Sequence, residues 1–239
     1  MTILRSPRWH ADRREQAEPI DMSQTRNDRA RPTAERKRGR PSGTDGPDLK
    51  VALLRAAIDL FADRGFDGVS LSQIASKAEA DVGLTRYYFG SKASLWNAAM
   101  NHLSECFVKD LSDANTFESG SKADALKALI KAFVIASARW PQVSRVIVFD
   151  GDKSDARGAF IKNQLVAPFF HLLSDLIEDA KAQGAIPDVS TRTIFFMITH
   201  GGSFPMALPA LTNAFPGEVI GSDAGLNAHA DAIVDLIFK

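Results

Sequence analysis

The 239-residue chain has a single cysteine, Cys106. That excludes a disulfide framework within the chain and fits a reducing compartment. Net charge is also absent, since 29 Lys and Arg balance 29 Asp and Glu. The whole-chain charge therefore singles out no partner. No apolar run of signal-peptide length opens the sequence, and no stretch reaches transmembrane length. A cytoplasmic location without a membrane partner is expected. Met22 follows a region with no helical or strand period and is a second candidate start. The phosphate-loop, GxSxG and HExxH patterns are missing, and so are paired metal ligands. His102, Glu105 and Cys106 share one helix face, but no second cluster completes a metal site. The expectation is a protein that is not an enzyme and carries no cofactor or metal.

What is present is enough apolar sequence for a core, with 45% hydrophobic and 8% aromatic residues. Charge is distributed unevenly. Basic residues outnumber acidic ones in residues 1–47, and acids are in excess from Leu111 onward. Residues 1–47 are polar and punctuated by Pro and Gly, which predicts a disordered basic arm. Within it lies Arg36-Lys37-Arg38-Gly39-Arg40-Pro41. Gly39 allows close backbone approach, and Arg38 and Arg40 suit a narrow, electronegative DNA minor groove.

From Asp48 the pattern is helical. Val51, Leu54, Ile58 and Phe61 recur at spacings of three and four, and Gly65 supplies a left-handed stop. Ser70-Leu71-Ser72-Gln73 reads as a capping box, with Val69 and Ile74 as its hydrophobic staple. A short helix follows, ending near Glu79-Ala80. Asp81 caps another, Val82 to Phe89, which Gly90 breaks. Ser91 then caps a long helix carrying Leu95, Trp96, Ala99, Met100, Leu103, Phe107 and Leu111. Further helices are expected at 121–139, at 155–183 with a break or bend at Pro168, at 189–203, and from about 223 to 238. Gly201-Gly202, Pro205 and Pro209 are expected to break the chain after 203. Residues 142–150 are β-branched enough for a strand, but no second strand is available to pair with them. The fold class is all-α.

Two short helices joined by a tight connection and packed on a preceding helix form a helix-turn-helix, whose second helix enters the major groove. The octet Thr85-Arg86-Tyr87-Tyr88-Phe89-Gly90-Ser91-Lys92 ends that helix and starts the next. Phe89, with Leu95 beyond it, faces inward. Arg86, Tyr87, Tyr88 and Lys92 face phosphates and base edges, to which hydroxyls, ammonium groups and aromatic rings are suited.

Ser70 to Ala78 (SLSQIASKA), Val82 to Leu95 (VGLTRYYFGSKASL) and Ala57 to Phe66 (AIDLFADRGF) resemble the TetR family of bacterial transcriptional regulators. The resemblance is close over about residues 50–110. It implies a three-helix DNA-binding head at 48–110. It also implies an effector-binding and dimerisation body at 111–239, with about nine helices in all. It further implies a homodimer on a palindromic double-stranded operator, and usually repression relieved by a small molecule. By position, Ser70, Tyr88 and Lys92, with Arg86, look like phosphate contacts, and Val82, Leu84 and Tyr87 look like base-edge contacts. Polar or aromatic candidates for an effector pocket are Trp140, Arg145, Phe149, Asn163, His171 and His200, with Arg145 alternatively paired to Asp150 or Asp152. Dimerisation is expected to use 189–203 and 224–238. The sequence departs from the family at Glu79-Ala80-Asp81, where Gly-Val-Ser is usual. Glu79 thus stands where glycine is cheaper. It also departs at Thr85, where a larger aliphatic is usual, and at Arg86, which often corresponds to a tyrosine. The alternative function is a DNA organiser of the same fold with no small-molecule effector.

Overall fold

A computed structural model describes residues 47–114 and 120–238. The basic arm, with Arg38 and Arg40, lies outside the described residues. Regular structure among the described residues is wholly helical. Helix α1 (Pro47–Arg64) has proline at its first position, where φ is preset and no N–H is needed, and Asp48 in its first turn. Gly65 ends it at φ 67°, donating to the Phe61 carbonyl at 2.9 Å. Phe66 folds back and stacks on Phe61, 5.8 Å between ring centroids. Both bonds of the Ser70–Gln73 capping box open α2 (Leu71–Lys77). The Asp81 carboxylate caps α3 (Val82–Phe89), accepting from the Gly83 N–H at 2.6 Å. Between them the chain turns through Glu79 at φ 54°, the one non-glycine with positive φ among the described residues. Helix α4 (Lys92–Ala114) is the long strut that follows.

Phe61 of α1, Ile74 of α2, Phe89 of α3 and Trp96 of α4 share one core. Val146 and Ile161, from far along the chain, complete it. Packing is therefore continuous across residues 110 and 111, which lie inside α4.

In the body, α5 (Lys122–Arg139) is capped by a second reciprocal box, Ser121 with Asp124. It packs against α4, α8, α9 and α11 and is the central helix. The β-branched 142–150 segment is helix α6 (Gln142–Asp150). Fully burying Val146 in the head core outweighs the weak strand preference. The predicted interruption near Pro168 is real but lies N-terminal to it. Helix α7 (Ala156–Phe160) passes into a π-helical segment, Ile161–Val166, before α8 (Ala167–Ala182). Pro168 has no N–H for the carbonyl four residues back and presses its ring on that turn. The preceding turn widens, and the Ala167 N–H reaches five residues back to Lys162.

Helix α9 (Thr191–Ala207) runs on through Gly201, Gly202 and Pro205 rather than breaking there. Gly202 marks a close crossing with α5, since a Cβ on it would lie 3.1 Å from Val134 Cγ2. Leu208 separates α9 from the single turn α10 (Pro209–Thr212), and α11 (Asp223–Ile237) closes the fold, capped by Ser222. A second core gathers Phe107, Ile130, Phe133, Leu173, Phe195 and Val234. No helix among the described residues is long and apolar enough to cross a membrane.

Candidate functional site

The head presents α3 edge-on to solvent. Gly83, Arg86, Tyr87 and Gly90, at spacings of three and four, are exposed, while Thr85 and Phe89 are buried. Tyr87 is 82% exposed, a large aromatic with no core to serve. Tyr88 and Leu84 are half-buried and pack on the head core, and Val82 is half-buried at the start of the helix. Tyr88 meets the Tyr87 ring edge-on at 5.5 Å. Ser70 is exposed, its hydroxyl accepting the Gln73 N–H at 3.2 Å. Thr85 is fully buried in the place of a larger aliphatic, with its hydroxyl 3.4 Å from the Asp81 carbonyl.

Lys92 points inward. Its ammonium donates to the carbonyls of Phe66 and Val69, at 3.0 Å each, and lies 4.2 Å from the centroid of the Phe66 ring. In this conformation it closes the turn between α1 and α2. The same ring meets Arg157 of α7, whose guanidinium lies 4.4 Å from the centroid. Arg157 also approaches Asp67 at 3.8 Å and Asp150 at 3.4 Å. Asp150 is 2% exposed, and burial pushes its carboxyl up despite the nearby guanidinium. Trp96 Nε1, Asp150 Oδ2 and Arg157 Nη1 are all buried without a hydrogen-bond partner. Such a cluster suits a bridging water.

Behind the head, α4, α5, α6, the π segment, α8 and α9 enclose a cavity of about 320 Å³. Its walls are mostly apolar, with Phe107, Phe133, Phe169 and Phe195 joined in a chain of ring contacts. Its polar groups are hydroxyls, including Ser137, Ser144, Thr199 and Ser203, together with Gln164 and His200.

Of the six pocket candidates named from sequence, His200 lines this cavity and the others lie elsewhere. Trp140 donates its indole N–H to Asp110 at 2.9 Å. Arg145 binds Asp63 at 2.7 Å and the Ala207 carbonyl at 2.9 Å, rather than Asp150 or Asp152. Phe149 is 43% exposed and lies against Gly65. Asn163 and His171 are exposed. Gln164, next to Asn163 on the π segment, lines the cavity instead. The residues missed were serines and threonines inside apolar helices. The signal was there in Phe195, Thr199 and Ser203, one turn apart on α9.

Helix α6 joins the two regions. Val143, Ser144 and Ile147 face the cavity. Gln142 reaches Asp59 of α1 at 3.0 Å, and Arg145 reaches Asp63. Cys106 lies 3.8 Å from His102 Nε2, and burial pushes its thiol up, which keeps it a poor nucleophile.

A helix-turn-helix head with an exposed second helix, on a helical body, is the architecture of DNA-binding transcriptional regulators. The profile described as "Bacterial regulatory proteins, tetR family" matches residues 53–99. The HTH-type transcriptional regulator RutR of Escherichia coli O157:H7 is 27% identical over 172 residues, spanning 69% of this chain and 79% of that protein. A TetR-like transcriptional regulator from Rhodococcus sp. RHA1 superposes with a TM-score of 0.59 at 20% identity, over 81% of this chain and 96% of its own. AibR, solved with isovaleryl coenzyme A and operator DNA, gives 0.63 at 20% identity, over 80% of this chain and 98% of its own. Residues 53–99 thus carry the DNA-binding signature of the TetR family, and the fold beyond them is similar to that of TetR-like regulators.

Proposed function

We propose that the protein is a homodimeric repressor that leaves a palindromic operator when a small molecule fills the cavity behind the head. The observation that carries this reading is the double attachment of α6. Four of its nine residues, Val143, Ser144, Ile147 and Val148, line the cavity, while Gln142 and Arg145 grip α1 through Asp59 and Asp63. A ligand that moves α6 therefore pulls on the first helix of the DNA head. AibR, a fold neighbour, takes both a small molecule and operator DNA on the same architecture.

In this reading Tyr87 and Arg86 meet base edges and phosphates from the exposed face of α3. Val82 and Leu84 offer apolar edges, and Ser70 and Tyr88 approach the backbone. Lys92 acts first as the clasp of the α1–α2 turn. Arg38 and Arg40 would add minor-groove contacts. The dimer would form on α9 and α11. Ile194, Phe195 and Ile198 are buried within this chain, whereas Phe196 and Met197, 47% and 60% exposed, remain for a partner. Ala228 and Ala232 of α11 are exposed and small enough for close helix approach.

Selection of bound DNA from a random library by the purified protein at physiological salt tests this reading. The expected product is a palindrome with half-sites about one helical turn or slightly more apart. Recovery of A/T-rich sequence without symmetry would replace the repressor with the DNA organiser.

A further inference from the structure

No Lys, Arg, Asp or Glu is found among the described residues that line the cavity. Beyond the His200 imidazole at its rim, an ionised ligand group would lose its hydration there and gain no permanent countercharge. The polar end of the cavity is also one-sided. The Ser144 hydroxyl donates to Ser203 Oγ at 2.8 Å, Ser203 donates to the Thr199 carbonyl at 2.6 Å, and Thr199 donates to the Phe195 carbonyl at 2.9 Å. Each of these hydroxyl protons is engaged. The oxygens of Ser144 and Thr199 keep lone pairs for a visitor. A donor fits there, and a carboxylate or phosphate would face lone pairs. Along α9 the wall changes from the Phe195 ring to the Thr199 and Ser203 hydroxyls in two turns, about 12 Å at 1.5 Å per residue.

We propose that the cavity takes an uncharged, largely hydrocarbon molecule about 12 Å long with one hydrogen-bond donor at its end, an alcohol or a phenol. The donor seats on the Ser144–Ser203 pair. This inference rests on the cavity being the effector site, and it names the chemistry of the effector. It separates this chain from a regulator of coenzyme A thioesters, whose phosphates would need cations that this lining does not supply. The seat is also the point of regulation. Ser144 is on α6 and Ser203 on α9, so a ligand hydroxyl that donates to this pair bears directly on the bond that ties α6 to the body.

The test uses the full-length protein and N-phenyl-1-naphthylamine, a neutral probe that fluoresces in apolar surroundings. One site per protomer is expected. Nonan-1-ol should displace the probe at a concentration at least about tenfold below that needed for nonanoate at pH 8, the ratio expected for an unpaired buried charge. The double substitution Ser144→Ala with Ser203→Ala should weaken nonan-1-ol about tenfold, the order expected for a lost buried hydrogen bond, and leave the probe within about twofold. Ser137→Leu, which fills the cavity, should abolish probe binding with the thermal midpoint retained. Nonanoate binding as well as nonan-1-ol would overturn the proposal. So would an alcohol affinity indifferent to the two serines, or no probe binding at all. DNA selection reads the regulator role separately. A palindrome binder that prefers nonanoate keeps the preceding function and loses this ligand class.

Discussion

Tyr87 and Tyr88, the two tyrosines of the chain, are neighbours with opposite surroundings. Tyr88 packs on the head core, and Tyr87 stands almost free. Tyr87→Ala should therefore weaken specific binding by about 1–3 kcal/mol, the range for a good base contact, and leave nonspecific binding nearly intact. Titrations on operator and on scrambled DNA separate the two. An equal loss on both would remove Tyr87 from base readout. Glu79 holds a left-handed conformation that glycine adopts without strain. Glu79→Gly should raise the thermal midpoint by about 2 °C, the shift expected for roughly 1 kcal/mol. A midpoint that falls would mean that the turn is not strained. Asp150 gives a pH-dependent case. Its folded carboxyl is pushed up by burial. Its effect on stability is therefore favourable in acid and is lost as pH rises through the shifted pKa. Asp150→Asn carries no such titration. Its urea midpoint should gain on that of the parent as pH rises above about 4, the ordinary Asp pKa. A constant difference across that range would show that Asp150 ionises as if exposed.

At the scale of elements, α6 is the testable part. Arg145→Ala removes the grip on Asp63 and on the end of α9. Coupling energies between sites are typically about 1–3 kcal/mol. The variant should still bind both operator and cavity ligand, but with that coupling reduced. Measuring operator affinity with and without saturating ligand checks this, and an undiminished ligand effect would exonerate α6. The head helices were legible in the sequence because local chemistry fixes them. Ser70 with Gln73, Asp81 and Gly65 each mark a boundary through their own neighbours. Glu79 announced its backbone strain by standing where glycine belongs. The body was harder to read. Residues 142–150 became helix because Val146 is buried by a distant partner, which no local pattern records. On the π segment Gln164 and not Asn163 lines the cavity, and a π turn is not marked in the sequence by any 3.6-residue pattern. Trp140 and Arg145 looked like ligand groups because they were polar in apolar company. Their partners, Asp110 and Asp63, are remote in sequence.

At the scale of the molecule, Val146 and Ile161 of the body complete the head core, and the basic excess lies in residues 1–47. Deleting residues 1–40 should lower operator affinity and flatten its dependence on salt, by about one unit of slope for each phosphate the arm had neutralised. If neither changes, the arm is passive. Met197→Asp should shift sedimentation toward the monomer if the exposed face of α9 is the dimer contact. On the proposed reading, a cavity without Lys, Arg, Asp or Glu gives the protein two separable responses to its medium. DNA binding releases counterions and fades steeply as salt rises. Transfer of a neutral hydrocarbon into an apolar chamber releases none, and its mark is a negative heat-capacity change instead. At high ionic strength the protein should thus be deaf to DNA and still receptive to its ligand, so that one buffer isolates the sensor from the reader without a mutation.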